Sequence, residues 1–290
     1  MVRARMCGTR RQQMTGKFPD MKRILSIFAL MLVSLCCFAQ AQVTIVSKKD
    51  KISDFPVKTL KVVLPGENFV SLSLRESVKN TWNISPYEFC DNAEFERLKN
   101  DPGYYFMLII RSSGTVNEGI SYVTVVKGGA DKIEDMLELV TLPLCSSDLQ
   151  DGRENVFMSA ILDVAQSYIE SSVLDGFKKV GSMVKKMPAD CSFVVDAREV
   201  SERLDQAYVN ENLGGVILTE EEILSIMENG TSGKAVGYSI APAFPQKGNV
   251  CWKMVFNART HELYYLKKSK IGSRLETGFT KSDFARFINQ

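Results

Sequence analysis

The chain has 290 residues, 45% of them hydrophobic and 24% charged, with a formal net charge of +2. That is a globular balance, which excludes a disordered chain and leaves room for one large or two ordinary domains. The positive sign comes from the front end: residues 1–41 hold seven Lys or Arg and one Asp, so the remaining 29 basic and 33 acidic residues net about −4, without the basic stripe a nucleic-acid interface needs.

The front end reads as a leader. Met21-Lys22-Arg23 is a short basic start, residues 24–38 are an apolar run, and Ala39-Gln40-Ala41 is a small-x-small cleavage signal. Together they predict a secretory signal peptide from Met21 to Ala41, cut after Ala41, with residues 1–20 as an upstream extension. The apolar run is short for a transmembrane helix, so no stable membrane span is expected after cleavage. Cys7, Cys36 and Cys37 leave with the leader, while Cys90, Cys145, Cys191 and Cys251 stay. An even number in an oxidising compartment suggests pairing, Cys90 with Cys145 and Cys191 with Cys251. Four buried thiols are the alternative.

Beyond the leader, residues 59–65 predict a strand stopped by Pro65 and Gly66. Leu72, Leu74, Val78 and Trp82 give a helical spacing, and residues 87–90 alternate as a second strand. Asp91 or Asn92 caps a helix over 93–99. Residues 104–111 (YYFMLIIR) form the strongest strand, an apolar run that implies burial on both faces. Residues 120–127 return as its hairpin partner, and residues 136–144 give a further strand or short helix.

Next comes a long helical stretch from Glu154 to Met187, with apolar residues mostly three and four apart. Asp151 caps it, Pro188 stops it, and Gly176 and Gly181 are positions where it can bend or split.

The second half predicts a strand at 191–195, a helix at 200–208, a strand at 215–218 and a helix opened by Thr219 with Glu222 three residues on, a capping box. Ile223, Leu224 and Met227 are its expected inner face. A strand at 235–241, a loop bearing Pro242 and Pro245, a hairpin of 250–257 with 262–268, and a helix capped by Thr280, with Phe284, Phe287 and Ile288 inward, complete the chain.

The order β-α-β-α-β-β-β-α thus occurs twice, about 125 residues apart, as expected of an internal duplication. The expected fold is α/β (α+β), two similar lobes, each a mixed sheet flanked by helices. Residues 42–150 form the first lobe, 151–188 a helical bridge, and 189–290 the second lobe.

Few residues suggest chemistry. His261 is the only histidine. It could serve as a general base, but its place between two strands reads as a hairpin turn. Cys90 is a candidate thiol nucleophile, and Asp91, Glu94 and Glu222 are candidate paired carboxylates. At a helix start, acidic residues more simply favour the helix dipole. No phosphate loop, dinucleotide fingerprint or metal-ligand spacing is present, so no cofactor, metal or catalytic residue is assigned. Trp82, Tyr87, Trp252 and Tyr264 are candidates for a binding face, with core packing the competing assignment.

The leader ending in Phe38-Ala39-Gln40-Ala41-Gln42, with Tyr104-Tyr105-Phe106 and the run from His261 to Lys268, resembles secreted proteins of unknown function from Bacteroidota. This resemblance implies a periplasmic or secreted location. The element order is similar to small Rossmann-like modules such as the TolB amino-terminal domain, which implies an interaction role. The expected function is a non-catalytic binding or assembly module, with an envelope protein or a glycan as partner. A cleft between the lobes is the place for a ligand. An extracytoplasmic hydrolase using Cys90 or a carboxylate pair, and a surface adhesin, are the alternatives.

Overall fold

The structure, a computed structural model, describes residues 52–112, 117–148, 152–201 and 204–288. The expected signal peptide, the Asp151 cap and the side chains of Phe287 and Ile288 lie outside what is described. The first lobe runs β1 (Leu60–Val63), α1 (Phe69–Thr81), β2 (Tyr87–Cys90), α2 (Asn92–Leu98), β3 (Tyr105–Arg111), β4 (Ile120–Lys127), β5 (Leu137–Ser146) and α3 (Arg153–Asp175). The second runs β6 (Ser192–Asp196), α4 (Gln206–Asn212), β7 (Gly215–Leu218), α5 (Glu220–Glu228), β8 (Lys234–Ile240), β9 (Val250–Asn257), β10 (Leu263–Lys270) and α6 (Lys281–Ile288).

Both lobes follow the expected order, and their sheets match strand for strand. The first sheet is β2-β1-β3-β4-β5 and the second is β7-β6-β8-β9-β10. In each, the first strand pairs in parallel with the second and third. The last three strands then form an antiparallel meander.

Capping sets several of the helix starts. Asn68 accepts the Ser71 N–H at α1, Asp91 the Glu94 N–H at α2, and Asp205 the Tyr208 N–H at α4. Thr219 and Glu222 form the expected reciprocal box at α5, which satisfies two donors left unpaired by the helix end.

The helical stretch is shorter than its periodicity implies. α3 ends at Asp175 because Gly176 takes φ 85° and ψ 165°, outside helical space, and only a 3-10 turn at Val180–Met183 comes after it. The helix expected over 200–208 is displaced and overlaps the observed one only at 206–208. A 3-10 turn at Ala197–Glu199 comes first, and the helix starts at Gln206 behind its Asp205 cap. Leu72 points outward, and Val70, Leu74 and Val78 are the buried face of α1. On α5, Ile223 and Met227 are buried and Leu224 is only half-buried.

The core decides how the lobes meet. One continuous cluster joins Val62, Met107 and Val125 of the first sheet, Phe157, Ile161 and Tyr168 of α3, and Val236, Met254 and Phe256 of the second sheet. α3 is therefore a core helix shared by both sheets. Phe157 stacks on Tyr238 at 4.0 Å between ring centroids and 5° between planes. The Trp252 indole N–H donates to the Tyr122 hydroxyl at 3.1 Å from sheet to sheet. Each sheet also covers a smaller outer core, Val63, Phe95 and Phe106 in one and Phe193, Phe279 and Phe284 in the other. Among the described residues no helix is long and apolar enough to cross a membrane.

The expected disulfides are not formed. Cys90, Cys145, Cys191 and Cys251 are all buried thiols. Cys90 and Cys145 sit on β2 and β5, the two edges of one sheet with three strands between them, far beyond the Cα separation a disulfide spans. Cys251 lies on β9 and Cys191 just before β6, with β8 between those strands.

Candidate functional site

In an open sheet of this order the chain turns to opposite sides of its first strand, and a crevice opens beyond the carboxyl ends of the strands at that point. In the second lobe those strands are β6 and β8. α4 covers one face of the sheet through Val209, and α5 the other through Ile223 and Met227.

The end of β6 and the turn after it are charged. Asp196, the last residue of the strand, accepts the Arg198 backbone N–H at 2.8 Å and a guanidinium N–H at 2.8 Å. Arg198 also reaches Glu220 at the start of α5, at 2.6 Å. Burial alone would raise the Asp196 carboxyl, but the Arg198 hydrogen bonds and charge outweigh it and hold the group below its ordinary value. The next residue, Glu199, is buried and pairs with Arg153 at the start of α3. The Arg153 guanidinium lies 5.7 Å from the Tyr238 ring, whose hydroxyl donates to the Leu144 carbonyl at 2.8 Å. Elements of both lobes thus converge here. The equivalent stretch after β1 is Leu64-Pro65-Gly66, without a charged residue.

Arg153, Arg198, Glu199 and Tyr238 line a cavity of about 180 Å³, together with Ser146 of β5 and Ser239–Ala243 at the end of β8. Ser146 Oγ is buried and has no hydrogen-bond partner. Such an orphan hydroxyl costs about 1–3 kcal/mol. Gly278 closes one wall at φ 72°, where a Cβ would collide with the Glu199 carbonyl. Only glycine allows that approach.

Pro242 also lines a second, outer cavity of about 190 Å³, with Glu118, Gly119, Asp148, Phe244, Gln246 and Asn249. Gly119 meets Pro242 so closely, at φ 81°, that a Cβ would lie 2.8 Å from the proline Cβ. The two cavities therefore flank one point of lobe-to-lobe contact.

His261 sits at the β9–β10 turn with φ 55°. Its Nδ1 lies 2.6 Å from Asp163 Oδ2 on α3. Gln166 donates to the other Asp163 oxygen at 2.8 Å and accepts the Asn83 N–H at 3.0 Å. Ser167 lines the same cavity of about 90 Å³. Among the described residues no serine or cysteine is hydrogen-bonded to the ring. The pair ties the second lobe's hairpin to the shared helix.

The residues singled out from sequence are dispersed. Trp82 is buried, with its indole N–H on Ser85 at 3.1 Å. Tyr87 is half-buried against Phe89 on edge strand β2. Trp252 lies in the shared core, and Tyr264 is buried with its hydroxyl accepting from the Asn257 amide at 2.8 Å. They do not form one face. Asp91 and Glu222 are spent on caps. Glu94 pairs with the buried Lys61 at 2.8 Å. Burial, then the charge of Glu94, push the Cys90 thiol up to about 11, the opposite of an activated nucleophile. Sequence reasoning misses Arg153, Arg198, Glu199 and Phe244. The one available signal is the charged Asp196-Ala197-Arg198-Glu199 directly after a strand.

No protein-family model matches the chain, and no curated protein or solved structure matches it.

Proposed function

We propose that the mature chain is a periplasmic or secreted binding protein that does no covalent chemistry and takes a ligand in the crevice between its lobes. The observation that carries this reading is the inner cavity itself. It lies beyond the carboxyl ends of β6 and β8 and is walled by both lobes. Crevices at this position are the usual ligand sites of such sheets. The charges there are tied to one another, Arg198 to Asp196 and Glu220, and Arg153 to Glu199, an arrangement suited to positioning rather than proton transfer. The export half of the proposal rests on the leader pattern.

The test is thermal unfolding of the mature protein against amino acids, short peptides, nucleotides, polyamines and oligosaccharides. A ligand at a hundredfold excess over its Kd adds about 2.7 kcal/mol, a rise on the order of 5–10 °C for a chain of this size. Ala243→Trp, which fills the inner cavity from a loop, should abolish the rise without lowering the unliganded Tm. No protection of the parent by any class, or equal protection of Ala243→Trp, refutes the reading. Mass analysis of the exported protein should find Gln42 at its amino terminus.

A further inference from the structure

We propose that the outer cavity is a saccharide subsite, with Phe244 as the platform on which one pyranose ring stacks. The inference rests on the crevice being the ligand site. Phe244 is 82% exposed, the most exposed large apolar side chain among the described residues. Its loop is nevertheless held firmly. The Gln246 N–H donates to Asn249 Oδ1 at 2.7 Å, and the Asn249 N–H returns to the Gln246 carbonyl at 3.0 Å. Gly248 and Ile271 tie the same turn to the end of β10, at 2.9 and 2.7 Å. A ring presented on a pinned loop loses little freedom when a ligand covers it.

The surrounding chemistry selects the ligand class. An aromatic face takes apolar C–H surface, and the exposed side-chain amide of Gln246 offers donors and an acceptor together. Glu118 and Asp148 add acceptors, Asp148 being partly neutralised by Arg111 at 3.3 Å. Among the described residues no Lys or Arg lines this cavity, which disfavours phosphate, sulfate and other anions. A simple cation would leave the amide donors unused. A neutral sugar ring, apolar on its face and hydroxylated at its rim, uses every group present. The volume, about 190 Å³, suits a single ring and is below the ~300–1,000 Å³ of drug-sized sites. Through Pro242, which lines both, the cavity borders the inner one.

The experiment is a glycan array probed with the mature protein and its Phe244→Ala and Gln246→Ala variants, then calorimetric titration of any hit. At least one neutral oligosaccharide should bind. Phe244→Ala should weaken it about tenfold or more while leaving the Tm in place, because the ring is not part of the core. Binding that is unchanged in Phe244→Ala overturns the inference. So does an empty array when another class from the panel, an alkylammonium included, still protects the parent and not Ala243→Trp; the crevice reading then stands without the sugar. An empty array with no protection by any class ends both.

Discussion

Phe157 is the residue through which the two lobes should melt as one. It is 1% exposed, stacked on Tyr238 at 4.0 Å, and 6.1 Å from Phe256. All three rings belong to the cluster shared by both sheets. Phe157→Ala removes a buried ring from a site closed by α3 and two strands, where collapse is restricted, so the loss should be about 3–5 kcal/mol. With a urea slope of ~3 kcal/mol/M, the midpoint should fall by about 1–1.7 M. The assay is urea unfolding monitored by tryptophan fluorescence in two single-tryptophan proteins, Trp252→Phe reporting from Trp82 and Trp82→Phe reporting from Trp252. Because the core is continuous, both probes should give one midpoint in the parent, and Phe157→Ala should move both by the same amount. Separate midpoints in the parent, or a shift confined to one probe, would show that the lobes are held by weaker contacts than a common core and would refute the argument.

Three further outcomes are expected. Asp283 is fully buried, accepts from Lys253 at 2.6 Å and from Tyr265 at 2.8 Å, and pairs with Lys267; Asp283→Asn should cost about 3–5 kcal/mol by leaving buried cations uncompensated. Burial alone would raise that carboxyl, but Lys253 and Lys267 hold it far below the usual carboxylate range. Its contribution is therefore complete above pH ~4 and is lost as pH falls toward the folded value; melts from pH 7 to 2.5 should decline more steeply below pH ~4 in the parent than in Asp283→Asn, and parallel slopes would contradict this. The mature protein should resist iodoacetamide when native at pH 8 and take four adducts in urea without reductant, since all four cysteines are buried thiols and burial raises those of Cys90, Cys191 and Cys251; fewer than four adducts would mean a disulfide. Gly278→Ala should lower stability by about 2 kcal/mol or more, because φ 72° and the nearby Glu199 carbonyl both oppose a side chain, and circular-dichroism melts showing no loss would count against that packing.

The candidate site is much less legible than the fold. In the sequence Phe244 is only one residue of a proline-bearing loop, and its exposure is not a local property. It depends on β8 ending at Ile240 and on the turn pinned by Asn249 and Ile271. Arg153 and Glu199 are 46 positions apart in the chain and meet where the start of α3 stacks Phe157 on Tyr238 of β8. The aromatic candidates mislead for the converse reason. Trp82, Trp252 and Tyr264 look equally suited to a surface or a core, and each is buried where its polar atom finds a partner.

The sequence by itself determined what short-range physics can encode. Strands with apolar runs, the Thr219–Glu222 box, the Asp91 cap and the repeated β-α-β-α-β-β-β-α order arise from side-chain period and from groups at most a few residues apart. Tertiary structure alone decided that the lobes share a core around Phe157 and Tyr238, that His261 meets Asp163, and that a crevice opens on both sides of Pro242. Those contacts join residues far apart in the chain, and their energies depend on burial and mutual geometry, which no local pattern of residues specifies.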